Sequence, residues 1–168
     1  AALIKAAPYR MARFLTFLNS EADPLGLGFH INQALIAIGS GGIWGRGFGK
    51  SGQKYTGYIP EAAGDSIFAI IAEELGLIKV LIMPVALFGV FAWRGFSVAK
   101  NTSDFFGRMV AVGITSWVIF QALFNMSAML SLMPLTGIPL PFISYGGSSL
   151  IMTLTAAGIL LNISKHRA

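Results

Sequence analysis

The stretch MVAVGITSWVIFQALFNMSAMLSLMPLTGIPLPFISYGGSSLIMTLTAAGILLNIS, residues 109–164, contains no Asp, Glu, Lys, Arg or His. A soluble domain does not carry so long an uncharged run, because about a quarter of its residues are normally charged. Over all 168 residues only 11% are charged and 55% are hydrophobic, and the mean hydropathy is +0.70. The chain therefore reads as an all-α integral membrane protein, a polytopic helical bundle. The Pro/Gly-rich segment Pro134–Ser149 divides the uncharged run into two spans, 109–133 and 142–163. Upstream, 75–96 is a further span, about 33 Å long as a helix. It contains Lys79, placed to snorkel to the near interface, and Pro84, where a kink is expected.

Charge fixes an expected topology. Arg94, Lys100 and Arg108 flank the polar loop Ser97–Gly107, and Lys165 and Arg167 lie in the tail 164–168. Two intervening spans put these basic residues on one side, opposed by Asp104 alone, so that side is cytoplasmic. The segment 1–74 and the connector Pro134–Ser149 then face the outside. In 1–74 the basic residues Lys5, Arg10, Arg13, Arg46, Lys50 and Lys54 are matched by Glu21, Asp23, Glu61, Asp65, Glu73 and Glu74. The net charge of +5 is thus sorted by membrane side and leaves no nucleic-acid footprint. Without cysteine there is no disulfide or thiolate metal site, and His30 and His166 are too far apart for a local metal cluster. The chain opens with neither Met nor a signal-peptide pattern, as a fragment would.

The outer segment reads as short interfacial pieces. Tyr9–Asn19 sets Arg10 and Arg13 against Met11, Phe14, Leu15 and Leu18, the pattern of an amphipathic helix lying on a membrane. Asn19–Gly28 breaks it, and Phe29–Gly39 is a second short helix with His30, Asn32 and Gln33 on or near its polar face. Gly39–Gly57 is too glycine-rich for regular helix. Its G-x-G-x-x-G at Gly47–Gly52 lacks a preceding strand. Gly49-Lys50-Ser51 has Trp44 where a phosphate loop needs glycine, so neither is a nucleotide site. Ile59–Gly76, IPEAAGDSIFAIIAEELG, then places two carboxylates just before an apolar run. With Pro60 in the first turn of a helix, Glu61 and Asp65 fall four apart on one face. Carboxylates at a water–lipid boundary suit a substrate with a polar head and a greasy tail. Glu73 and Glu74, nearer the membrane interior, need a partner, with Lys79 or a helix outside this sequence as candidates.

IAIGSGG at 36–42, QKYTGYIPEAAGDSIFAIIAEELG at 53–76 and PLTGIPLPFISYGGSS at 134–149 resemble the SEDS family, of FtsW, RodA and SpoVE type. The resemblance covers nearly the whole chain. It implies the C-terminal part of a fold with about ten spans. QK followed by YIPEA leans toward the FtsW-like division branch, while GFHINQ fits the elongation branch as well. The implied activity is that of a peptidoglycan glycosyltransferase, polymerising lipid II into glycan strands at the outer face of the bacterial cytoplasmic membrane. The family's essential aspartate, after a PE dipeptide and before an IFA-like run, corresponds to Asp65. The family's usual His-Thr before that Asp is Ala63-Gly64 here.

In that reaction a base takes the acceptor hydroxyl proton and cations stabilise the departing polyprenyl diphosphate. The resemblance makes Asp65 the base; otherwise an Asp before a helix is a cap or a solvated loop residue. Glu61 is a candidate for orienting substrate or cation, or a partner of the helix dipole. Lys54, Arg10, Arg46 and Lys50 are candidate diphosphate contacts, with Arg13 beside them; the alternative is lipid headgroups or solvent. Backbone N–H groups of the glycine-rich bend are a further candidate phosphate cradle. Ser144-Tyr145-Gly146-Gly147 reads as a shaping element, since no base accompanies Ser144. Expected partners are lipid II, a class B penicillin-binding protein, other divisome or elongasome membrane proteins and membrane lipids, with a divalent cation (Mg or Mn) as the one cofactor in view. The rival readings are a lipid II transporter and a non-catalytic division scaffold. A transporter should carry ionisable groups deep in several spans, whereas here they gather in the outer segment.

Overall fold

In the computed structural model, residues 15–17, 27–52 and 64–165 are described. They form α1 (Leu27–Gly41), α2 (Ile67–Leu75), α3 (Leu77–Lys100), α4 (Phe105–Met129) and α5 (Gly147–Lys165), with no strand among the described residues. α3, α4 and α5 are each long and apolar enough to cross a membrane. Much of their apolar surface faces outward, as in Ile82, Trp93, Phe120 and Leu161. The architecture is that of a polytopic membrane helical fold.

α1 lies on α2 because both present small residues at the seam. Ala34 and Ala37 share a buried core with Ala69 and Ala72, together with Ile31, Ile38 and Phe68. Gly76, at φ 87°, turns the chain from α2 into α3. α3 runs unbroken through Pro84 and returns as α4 after four residues, 101–104. Val80 and Phe88 of α3 share a core with Val118, Ala122 and Met126 of α4. Farther along, a Cβ on Gly95 would overlap the Thr115 side chain, so the two helices touch at a glycine. A second cluster, Val98, Ala99, Ala111 and Leu160, brings α5 against the far end of the pair.

Helix ends depart from the apolar windows in the sequence. The expected loop Ser97–Gly107 shrinks because α3 continues to Lys100, a cation suited to a helix C-terminus. Asp104 caps α4, its Oδ2 accepting from the Gly107 N–H at 2.6 Å. Hydropathy marks where lipid ends, and a helix can run on past it into water. At the other end α4 stops at Met129 rather than Met133. Ser131 adopts φ 56°, and its N–H and that of Leu132 donate to the carbonyls of Ala128 and Ser127. That is a Schellman closure with serine in the place glycine usually takes.

The third span begins later than 142. Phe142 and Ser144 belong to the turn before α5, where Ser144 Oγ accepts from the Leu140 N–H at 2.7 Å. Phe142 sits at φ 63° with its ring 5.9 Å from that of Phe91 on α3. Leu135, Leu140 and Pro141 are buried, so the connector folds back over the bundle. α1 is longer than the 29–39 reading and takes in Gly39 and Gly41, where the sequence excluded helix. Of the 9–19 helix, 15–17 are helical and the remainder lies outside the described residues.

Candidate active site

Asp65 occupies a turn, residues 64–66, and α2 starts only at Ile67. The expectation of a helix from Pro60 carrying Glu61 and Asp65 four apart is thus corrected at its described end. Gly64, Asp65 and Ser66 favour a turn over helix. The Ser66 hydroxyl, which would cap α2, instead donates to Asp65 Oδ1 at 3.3 Å. Asp65 is partly buried, Ser66 fully so, and His30 Nε2 of α1 lies 3.5 Å from Ser66 Oγ. The Asp65 carbonyl accepts from Asn125 Nδ2 of α4 at 2.8 Å. The same nitrogen donates to Ile138 O at 2.8 Å, and Gln121 Nε2, one turn earlier, donates to Pro139 O at 3.0 Å. The acid, α1, the C-terminal part of α4 and the 134–149 connector therefore meet at one end of the bundle.

A second carboxylate organises the glycine-rich strap. Glu73 is completely buried and accepts from Arg46 Nη1 at 3.1 Å, Ser51 Oγ at 2.6 Å and Gly52 N at 3.2 Å. Its partner is Arg46, where the sequence offered Lys79 or a helix outside it; Lys79 Nζ instead reaches the Trp44 carbonyl at 3.4 Å. The strap is docked backbone to backbone as well. Arg46 N and Gly47 N donate to the carbonyls of Glu73 and Glu74, both at 3.0 Å, and Leu77 N donates to Gly42 O at 2.9 Å. A Cβ on Gly41, Gly45 or Gly76 would overlap the facing backbone, so the glycines permit close approach. The N–H groups of Gly42, Gly45, Arg46, Gly47, Lys50 and Gly52 all donate inside the protein, which removes them as a phosphate cradle.

Among the sequence candidates, then, Asp65 and the Arg46–Glu73 pair are fixed in place, and Lys50 is exposed on the strap. Glu61, Lys54 and Arg10 lie outside the described residues. Among the described residues no group of three or more His, Asp or Glu comes together to hold a metal ion. Sequence reasoning missed Ser66, Gln121 and Asn125. The last two carried a usable signal, being amides four apart on one face of an uncharged span.

Comparison with known proteins gives the family and the fold. The chain is 48% identical over 164 residues to stage V sporulation protein E of Bacillus subtilis, an alignment covering 98% of this chain and 44% of that protein. It is 44% identical over 169 residues to the probable peptidoglycan glycosyltransferase FtsW of Halothiobacillus neapolitanus, covering 99% and 40%. The chain thus spans less than half the length of these curated relatives. A chain from a study of structural coordination of polymerization and crosslinking by a peptidoglycan synthase complex superposes with a TM-score of 0.73 at 29% identity, covering 99% of this chain and 45% of that one. The family pattern described as "Cell cycle protein" matches residues 1–168, and the chain belongs to the FtsW/RodA/SpoVE family.

Proposed function

We propose that the protein is a peptidoglycan glycosyltransferase that polymerises lipid II at the outer face of the bacterial cytoplasmic membrane, with Asp65 as general base. The observation that carries this is the placement of Asp65, a partly buried acid in a turn braced by α1, α2 and α4 at the membrane-helix boundary. The basic residues Lys100, Arg108 and Lys165 lie at the opposite ends of their helices, which favours Asp65 outside and the C-terminus in the cytoplasm. Relatives named as probable peptidoglycan glycosyltransferases support the reaction class.

Asp65 accepts the proton of the attacking sugar hydroxyl as its oxygen bonds to the anomeric carbon, and the polyprenyl diphosphate departs without needing a proton. We assign Lys50, exposed on the strap, to the diphosphate with Lys54 and Arg10, and Glu61 to substrate orientation. Arg46 is assigned to holding the strap. A divalent cation (Mg or Mn) would act as a counter-ion to the diphosphate, and no step of the reaction runs through it. A class B penicillin-binding protein is the proposed partner, in division or elongation, since the similar solved chain belongs to a complex that couples polymerization to crosslinking.

The test is lipid II polymerisation in liposomes by the chain completed to the length of its relatives, with and without Asp65→Asn. Polymer from the parent and none from an equally folded variant is the expected result. Equal polymer from both removes Asp65. No polymer from either favours the transport or scaffold readings.

A further inference from the structure

We infer that Asn125 of α4 is a positioning residue for Asp65, an inference that rests on reading Asp65 as the base. Both of its hydrogen bonds run from Nδ2 to carbonyl oxygens, Asp65 O and Ile138 O, each at 2.8 Å. This fixes the orientation of the amide, because the flipped form would point Oδ1 at two other acceptors. Asn125 is 1% exposed, and Oδ1 has no hydrogen-bond partner among the described residues. A buried, unsatisfied acceptor lowers stability, and an amide inside a membrane helix is costly. An apolar residue of similar size would pack there without that cost. What the amide adds is a forked donor that ties two irregular segments, the 64–66 turn and the 134–149 connector, to one point on a rigid helix.

The bond to the Asp65 carbonyl acts through the backbone. It holds the peptide plane after Asp65, so the Cα–Cβ direction is set and the carboxylate is aimed, while Ser66 Oγ holds Oδ1 from the other side at 3.3 Å. A misplacement of about 1 Å in a reacting group costs on the order of a hundredfold in rate. Gln121 supplies a built-in comparison, since it grips the connector at Pro139 O and does not touch the Asp65 turn.

The experiment uses the chain completed to the length of its relatives and four variants, Asn125→Ala, Asn125→Asp, Gln121→Ala and Asp65→Asn. It reads lipid II polymerisation kinetics and amide hydrogen exchange over 64–67 and 134–144. Asn125→Asp keeps the shape of the side chain and removes its N–H donors. Expected are a kcat loss of about tenfold or more in both Asn125 variants with KM within about twofold, and faster exchange confined to both segments. Gln121→Ala should speed exchange in the connector alone, with kcat within about threefold of the parent. Parental kcat in either Asn125 variant, alongside an inactive Asp65→Asn, overturns the role of Asn125 and leaves Asp65 standing. Faster exchange along the whole chain also overturns it, because Asn125 would then be a general stabiliser. An active Asp65→Asn overturns the reading beneath.

Discussion

Ser51 Oγ donates to Glu73 Oε2 across 2.6 Å, with both residues buried. With the Gly52 N–H and Arg46 on the other oxygen, it leaves the buried carboxylate fully engaged. Removing such an acceptor strands its donors, so Glu73→Ala should destabilise the protein by about 3 kcal/mol. Ser51→Ala should cost about 1–2 kcal/mol. Thermal melting in detergent checks both, and trypsin should cut after Lys50 faster in Glu73→Ala than in the parent.

Arg46 and Lys50 should separate into a structural and a substrate-facing cation. The Arg46 side chain is 49% exposed, so screening limits the cost of Arg46→Ala to roughly 1 kcal/mol, with little change in KM. Lys50→Ala should leave melting unchanged and raise the KM for lipid II by about three- to tenfold, as the loss of one charge-assisted contact would. Steady-state kinetics beside melting curves decide the matter. The reverse pattern would exchange their roles.

Glycine substitutions should sort by backbone approach. Gly45→Ala and Gly76→Ala combine positive φ with overlap of the facing backbone and should each cost at least about 2 kcal/mol. Gly39→Ala meets nothing within 4 Å inside α1 and should be neutral or gain up to about 1 kcal/mol. Melting temperatures of the three variants provide the check.

The α3–α4 seam admits a similar test. Gly95→Val would drive a side chain into Thr115, part the helices and lower the melting temperature by several degrees, as about 1–3 kcal/mol of overpacking does. Gly113→Ala, whose Cβ would meet nothing within 4 Å, should not.

The membrane helices were legible because the absence of charge over 109–164 is a property of the chain alone. Their ends were less so, since capping by Asp104 and the left-handed Ser131 are decided locally, by single hydrogen bonds that hydropathy does not register. Asp65 emerged through resemblance, and its turn was misread as helix because Pro60 and the apolar run after it mimic a helix start. The burial of Glu73 was foreseeable, but its partner was not. Lys79 is close in sequence, whereas Arg46 reaches Glu73 only because glycines let the strap lie flat on α2. Asn125 and Gln121 were passed over although amides in an apolar span are a signal, and which carbonyls they hold depends on how the connector folds back.

Gly45 and Gly76 meet with no side chain between them, and Leu77 N, the first amide of α3, is bonded to Gly42 O. No cushion of rotatable groups separates α3 from the strap. A change in the tilt of α3 would therefore carry residues 42–47 along as a lever carries its own tip. Trp44, 75% exposed on that tip, would be displaced with them.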